Sequence, residues 1–124
     1  MKYNAGMAHT TLRELTDLAL RFREERDWKQ FHNPKDVALS MSLEVAELVE
    51  IMQWKNGEGL SKHLAEKHEQ VGQELSDVLY WVLVLANDLG VDLAAAFRAK
   101  LEHNAKKYPV EKSKGAARKY TELK

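Results

Sequence analysis

The hydrophobic pattern of the N-terminal third of the chain has the spacing of amphipathic helices. From Leu12 to Phe22, apolar residues recur three or one positions apart, which predicts a first helix. Thr11 and Glu14 form a capping box at its start. The charged stretch 23–27 interrupts the apolar stripe and leads into a connecting segment with two aromatic residues, which is unusual for a solvent-exposed loop.

A second helix is predicted from Asn33-Pro34 to about Trp54, because Asn is a good N-cap and Pro suits the first helical position. Apolar residues cover most of its circumference, a pattern typical of a helix that is buried on more than one side. In so small a protein, this pattern predicts that a partner subunit completes the core.

Two further helices are predicted in the second half of the chain. A loop is expected over residues 55–59, and Ser61 is expected to cap a third helix that continues to about Asp88. Asp92 is expected to cap a fourth helix that ends before Pro109. Residues 82–85 have the composition of a strand but lie within a long helical frame, so the predicted fold class is all-α.

Two pairs of acids stand out in the second and third predicted helices. Glu44 and Glu47 form one pair, and Glu74 and Asp77 form the other. Acids three positions apart lie roughly 60° apart on one helix face. Packing the two helices together would therefore gather four carboxylates. Since carboxylates repel one another and are rarely buried without a partner, this arrangement favours a bound cation.

The chemistry of this donor set favours a hard divalent cation. An oxygen-only cluster selects Mg²⁺, or alternatively Mn²⁺, whereas a di-iron site would need a Glu-x-x-His motif, which the sequence lacks. Trp54 and Trp81 each follow an acid by seven residues, which predicts that the indoles share the faces of the acids. Indoles beside a metal–phosphate centre suit stacking on a nucleobase. The alternative is that the tryptophans belong to the core and the acids to a solvated face.

The composition of the chain excludes several classes of function. The chain has 124 residues, 44% hydrophobic and 31% charged, with a net charge of zero, and this fits one globular domain rather than a nucleic-acid or membrane binder. The absence of cysteine excludes disulfides and thiolate chemistry, and it is compatible with a cytoplasmic location. We expect a loose lead-in over 1–10, a helical domain over 11–109 and a basic tail over 110–124.

Several of these motifs resemble one family of all-α enzymes, the MazG-like nucleoside triphosphate pyrophosphohydrolases, and in particular its dCTP pyrophosphatase branch. The resemblance extends over roughly residues 12–123. It rests on these segments: Glu25-Arg26-Asp27-Trp28-Lys29-Gln30-Phe31-His32, Glu44-Val45-Ala46-Glu47, Gln53-Trp54-Lys55, Glu74-Leu75-Ser76-Asp77, Val91-Asp92-Leu93 and Asn104-Ala105-Lys106-Lys107-Tyr108-Pro109.

The resemblance implies a four-helix bundle-like fold whose core a partner subunit completes, in a homo-dimer or tetramer. It also implies Mg²⁺-dependent cleavage of a deoxynucleoside triphosphate, preferably dCTP or a 5-modified form, to the monophosphate and pyrophosphate. The catalytic metal ligands would be Glu44, Glu47, Glu74 and Asp77. The base and sugar pocket would be formed by Trp28, His32, Trp54 and Trp81. Lys100 and Asn104, one helical turn apart, would meet the phosphates or the sugar.

Two positions depart from the family pattern. Ala19 stands where some relatives carry a pocket histidine, and Trp81 stands where close relatives have tyrosine. Both changes touch the pocket, so dUTP or a broad range of nucleotides is an alternative substrate class. The alternative from another class of protein is a non-catalytic helical oligomerisation module.

Overall fold

The computed structural model describes residues 9–123, which are mostly helical with no strand among them. The helices are α1 (Leu12–Glu25), α2 (Pro34–Met52), α3 (Gly57–Glu66), α4 (His68–Asp88), α5 (Leu93–Lys107) and α6 (Val110–Ser113). Single 3-10 turns occupy Lys29–Phe31 and Tyr120–Glu122. The all-α prediction is therefore confirmed. Most of the predicted lead-in, residues 1–8, lies outside the described residues.

Three of the four predicted N-caps, Thr11, Asn33 and Asp92, are confirmed. The Glu14 amide donates to Thr11 Oγ1 at 3.1 Å, and the Asp36 amide donates to Asn33 Oδ1 at 2.9 Å. The Ala95 amide donates to Asp92 Oδ1 at 3.1 Å. Each cap satisfies an amide of the first turn that has no partner within the helix.

The prediction of one long third helix starting at Ser61 is wrong. Helical order begins four residues earlier, at Gly57, whose φ of +54° favours glycine, and it breaks at Lys67 between α3 and α4. Ser61 lies inside α3 and donates to the Gly57 carbonyl at 3.4 Å. The surrounding polar stretch supplies no apolar stripe that would hold a single straight helix against a core.

The chain divides into two compact units, one ending at Gly90 and the other beginning at Val91. In the first unit, α2 and α4 share the most extensive contact, and α1 packs on α4. The core is small and centres on Ala19, Val37 and Val84. The α4 helix ends as predicted at Asp88, and Gly90 follows with a φ of +68°, the left-handed conformation usual after a helix.

The second unit consists of α5, α6 and the final 3-10 turn. Tyr108 and Tyr120 meet edge to face with ring centroids 6.0 Å apart, and Lys107 Nζ lies 4.7 Å from the centre of the Tyr120 ring. Part of the predicted basic tail is thus ordered by aromatic and cation–π contacts. Among the described residues no single helix is long and apolar enough to cross a membrane, although α4 and α5 together would qualify by length and composition as a broken pair.

Candidate active site

Three of the four predicted acidic residues meet where α2 packs against α4. One carboxylate oxygen from each of Glu44, Glu74 and Asp77 lies within 4.8 Å of the others. Glu44 comes from α2, and the other two come from one turn of α4. The three-residue spacing puts Glu74 and Asp77 on one face, and the packing of the two helices adds Glu44.

Two oxygens in this group have no partner within the described structure. Glu44 Oε2 and Glu74 Oε2 are both buried from solvent and accept no hydrogen bond. Since buried carboxylate oxygens without donors are costly, a positively charged ligand would suit this arrangement.

The protonation of the group reflects this crowding. Burial raises the pKa of Glu74 to about 7, with further contributions from the neighbouring carboxylates of Glu47 and Glu44. Burial also raises the pKa of Glu44, and the negative charges of Asp77 and Glu47 add to this effect. Glu47 is exposed and is not one of the three residues whose oxygens all lie within 4.8 Å of one another, but its carboxyl group raises the pKa of both Glu44 and Glu74. Like-charge repulsion of this kind is what a divalent cation would relieve.

A cavity of about 580 Å³ opens beside the carboxylates within the first unit. Glu44 and Asp77 contribute the acidic part of its lining. The remainder is almost wholly apolar or aromatic: Leu15, Leu18, Ala19, Phe22, Trp28, Leu79, Tyr80, Trp81 and Leu83, with Ser76. The cavity therefore joins a cluster of oxygen ligands to an aromatic wall, within the size range usual for small-ligand sites.

The aromatic wall is a chain of rings in edge-to-face contact. The ring centroids of Trp28 and Phe22 are 5.7 Å apart, and those of Phe22 and Tyr80 are 6.1 Å apart. Tyr80 and Trp81 follow at 4.9 Å, and Trp81 and His32 at 5.2 Å. Each pair lies in the favourable range for aromatic contacts, so the rings support one another's orientation.

The predicted base-pocket residues lie in different surroundings. Trp28 and Trp81 line the cavity, and His32 packs on Trp81 behind it. Trp54 is 88% exposed and is not among the lining residues. Because α2 ends at Met52, the helical spacing that aligned Trp54 with Glu47 does not extend to the indole.

Lys100 and Asn104 lie on α5, in the second unit. They are one helical turn apart, as the sequence predicts; Lys100 is exposed and Asn104 is half-buried. Their assignment to the phosphates or the sugar stays a prediction.

Sequence reasoning did not assign a site role to Phe22 or Tyr80. Phe22 belonged to the apolar stripe of the first helix, and Tyr80 to the apolar run before Trp81. Their proximity to Trp28 was the missing signal, and it depends on how α1 and α4 pack. Arg23 and Asp88, which form a largely buried ion pair, likewise gave no signal, since they are 65 positions apart.

Comparison with known proteins shows the family of the chain. The MazG-like family model matches residues 39–123. The proteins named dCTP pyrophosphatase 1 from Bos taurus and Homo sapiens are each 40% identical over 115 residues, which cover 91% of this chain and 68% of theirs. A crystal structure titled as a pyrophosphatase from Archaeoglobus fulgidus is 34% identical, superposes with a TM-score of 0.76, and is matched over 88% of this chain and 98% of its own. The chain belongs to the MazG-like family.

Proposed function

We propose that the chain hydrolyses a deoxynucleoside triphosphate, preferably dCTP or 5-modified dCTP, to the monophosphate and pyrophosphate with Mg²⁺ or Mn²⁺. The family and the curated relatives support a nucleoside triphosphate pyrophosphohydrolase. The observation that supports the site is the single cavity lined by both Glu44 and Asp77 and by Trp28 and Trp81. The triphosphate of the substrate needs the carboxylates, with the cation they would hold, and the base needs the indoles.

The carboxylates fit a hard cation. Glu44, Glu74 and Asp77 offer oxygen ligands only, and the Oε2 atoms of Glu44 and Glu74, which have no hydrogen-bond partner in the described structure, would be satisfied by a cation. When bound, Mg²⁺ neutralises phosphate oxygens and lowers the pKa of a water.

Glu47 is the residue we assign to the proton of the attacking water. It is exposed and lies one turn from Glu44 on α2. Its carboxyl group acts on those of Glu44 and Glu74 without belonging to the three residues whose oxygens all lie within 4.8 Å of one another. In the proposed reaction the water oxygen forms a bond to phosphorus, the P–O bond between the α and β phosphoryl groups breaks, and the water proton passes to Glu47. The bridging oxygen leaves with one of the two products.

The aromatic wall is assigned to the base. Trp28 and Trp81 present indoles to the cavity, and stacking on an indole is worth about 1–3 kcal/mol per base. His32 supports Trp81 from behind through its 5.2 Å ring contact. We assign Trp54, Lys100 and Asn104 to substrate contacts on the family resemblance.

A second candidate is the same reaction over a broad range of bases, including dUTP. The cavity lining has few polar groups that could read a base edge. Ser76 Oγ already donates to the Gly72 carbonyl at 2.7 Å, which leaves the hydroxyl of Tyr80, buried without a hydrogen-bond partner in the described structure. Stacking alone discriminates weakly among bases.

A homo-oligomer is part of the proposal. Several α2 side chains are apolar and exposed: Leu39 58%, Leu43 58%, Val45 44% and Val49 53%. Exposed apolar side chains in this number on one helix are costly in water, and a second copy of the chain that packed on α2 would bury them. Light scattering on a size-exclusion column measures whether the mass is a multiple of the 14.2 kDa chain.

The test of the proposed function is pyrophosphate release from each common dNTP and NTP, with Mg²⁺ and with EDTA. The nucleoside products are identified by chromatography, so that monophosphate and diphosphate are told apart. Glu47→Gln is the active-site variant, and Glu50→Gln on the same helix is its control.

Release of dCMP and pyrophosphate that requires Mg²⁺, with dCTP ahead of other nucleotides, supports the leading proposal. Comparable release from many bases supports the broad-range candidate. No release from any nucleotide by folded protein rejects the enzyme, and a Glu47→Gln variant with full turnover rejects Glu47 as the proton acceptor.

A further inference from the structure

The segment between α1 and α2, residues 26–33, which we call the connector, supplies two rings to the aromatic wall. Trp28 lies near its start and lines the cavity, and His32 lies at its end and packs on Trp81. Connecting segments are usually mobile unless something fixes them. The position of the wall therefore depends on what holds the connector.

Arg23 and Asp88 form a two-point ion pair immediately before the connector. Arg23 Nη1 donates to Asp88 Oδ2 at 2.7 Å, and Nη2 donates to Oδ1 at 2.9 Å. Only 4% of the Arg23 side chain and 14% of the Asp88 side chain are exposed. An aspartate in the last turn of a helix opposes the helix dipole, so Asp88 at the end of α4 has no local reason to be favoured. The bidentate pair fixes α1 against α4 at a defined distance and angle.

The backbone of Arg23 is bonded to the connector as well. Its carbonyl oxygen accepts a hydrogen bond from the Trp28 amide at 3.1 Å. Between them, Asp27 adopts a φ of +53°, an uncommon conformation for a non-glycine residue. Arg26 stacks its guanidinium 3.7 Å from the centre of the Phe22 ring. The backbone of Arg23 thus bonds the turn of the chain at the start of the connector, while the side chain of Arg23 binds Asp88.

The charges of Arg23 and Asp88 also act on His32, at the other end of the connector. His32 Nδ1 is buried without a hydrogen-bond partner in the described structure. Burial lowers the pKa of His32, and the charge of Arg23 lowers it further, whereas the charge of Asp88 opposes this. The two charges therefore act on the imidazole that supports Trp81.

We propose that Arg23 and Asp88 are positioning residues that fix the connector, and through it Trp28 and His32, at the wall of the nucleotide cavity. Neither side chain lines the cavity, so the effect on the substrate is transmitted through Trp28 and His32. The inference rests on the proposed function for its kinetic consequence, and on the fold alone for the position of Trp28.

The variant that tests the proposal replaces both partners, Arg23→Met with Asp88→Leu. Exchange of a whole buried pair for apolar side chains usually preserves folding, whereas removal of one partner leaves a buried charge. Arg23→Lys is the second variant, because lysine keeps the charge but not the two-point geometry. The matched control is Arg13→Met with Asp17→Leu, which removes an exposed pair of 3.6 Å from the same helix.

Two substrates separate positioning from general damage. We expect the double variant to raise KM for dCTP about tenfold, inside the range that loss of a stacking contact produces, with kcat within about twofold. KM for the base-free 1,2-dideoxyribose 5-triphosphate should stay unchanged. Arg23→Lys should fall between the wild type and the double variant, and the control should match the wild type.

A readout independent of activity uses the three tryptophans of the chain. In a Trp54→Phe, Trp81→Phe background, Trp28 is the remaining indole, and acrylamide quenching reports its accessibility. Loss of the ion pair should raise the quenching constant about twofold from that of the present 43% exposed ring.

The outcomes are distinguishable. Unchanged quenching and unchanged KM in folded variants overturn the proposal, as does an equal loss on dCTP and on the base-free substrate. If the wild type releases no pyrophosphate at all, the proposed function fails, and quenching alone decides whether the pair positions Trp28.

Discussion

A carboxylate oxygen of Glu44 on α2 lies within 4.8 Å of one of Glu74 on α4, and each residue has a second oxygen, Oε2, that is buried without a partner. The packing of α2 against α4 thus brings two carboxyl groups of like charge close together. Folding without a cation must work against this repulsion, and several properties of the protein should depend on it.

The metal-free protein should lose stability as pH rises from about 4.5 to about 7. Burial raises the pKa of Glu74 from 4.5 to about 7, so in this window the folded chain holds a proton that the unfolded chain has released. The protonated Glu74 carboxyl contributes its full stabilisation below the pKa of 4.5 that it has in the unfolded chain. This stabilisation is lost as pH rises through about 7, its pKa in the folded chain. Urea midpoints in EDTA between pH 4 and pH 8 measure the slope.

Glu74→Gln should flatten that slope and raise the midpoint at pH 8, because the variant has no charge to accommodate. Glu50→Gln, on the same α2 helix as Glu44, is the control and should keep the wild-type slope. A Glu74→Gln variant with an unchanged slope would show that repulsion at Glu74 is not the source.

Mg²⁺ should stabilise the folded chain through the same carboxylates. A ligand that binds only the folded state at 100 times its Kd adds about 2.7 kcal/mol to the free energy of unfolding. We expect the thermal midpoint to rise with Mg²⁺ and to return to its starting value when EDTA removes the metal. Glu44→Gln should remove most of this response. An equal response in the variant would locate Mg²⁺ binding elsewhere.

Trp54 should lower the stability of the fold while it contributes to substrate binding. Its φ of +68° is strained for a bulky residue, and its indole is 88% exposed, so the ring contributes little burial in return. Trp54→Asn should raise the free energy of unfolding by about 0.5–1 kcal/mol, because asparagine tolerates the left-handed region. On the proposed substrate role, KM should rise about tenfold.

Chemical denaturation and KM for dCTP measure the two effects of Trp54→Asn. Trp54→Phe is the matched control, since it keeps an aromatic ring and the strain. A fall in stability on Trp54→Asn would contradict the strain argument, and an unchanged KM would remove Trp54 from the substrate site.

The Arg23–Asp88 pair should make the fold sensitive to acid. Hydrogen bonding from Arg23 lowers the pKa of Asp88, so the unfolded carboxyl takes up a proton at a higher pH than the folded one. The stabilisation is present above the unfolded pKa of about 4 and is lost as pH falls through the folded value. Denaturant midpoints between pH 2 and pH 7 record the decline.

Asp88→Asn should reduce the acid dependence and should cost about 3 kcal/mol at pH 7, because Arg23 loses its ionic partner while it stays buried. Asp17→Asn, which breaks the exposed Arg13 pair, should cost less than about 1 kcal/mol. An equal loss of unfolding free energy in the two variants would show that the buried pair stabilises the fold no more than the exposed pair does.

The sequence by itself determined the elements that depend on neighbouring residues. Thr11, Asn33 and Asp92 cap their helices as predicted, since an N-cap acts within three residues. The acid spacing placed Glu74 and Asp77 on one turn for the same reason. Local failures occurred at Gly57 and Lys67, where a polar stretch is compatible with one helix or with two.

Only the tertiary structure decided which residues share the site. The crossing of α2 and α4 brought a carboxylate oxygen of Glu44 within 4.8 Å of oxygens of both Glu74 and Asp77, whereas Glu47 on the same helix face does not belong to that group. The packing of α1 on α4 brought Phe22 to Tyr80 and Arg23 to Asp88. These contacts span more than fifty positions, and no periodicity within one helix encodes the partner on another. The physical reason is that helical spacing fixes direction around an axis, whereas burial of apolar faces fixes how the axes meet.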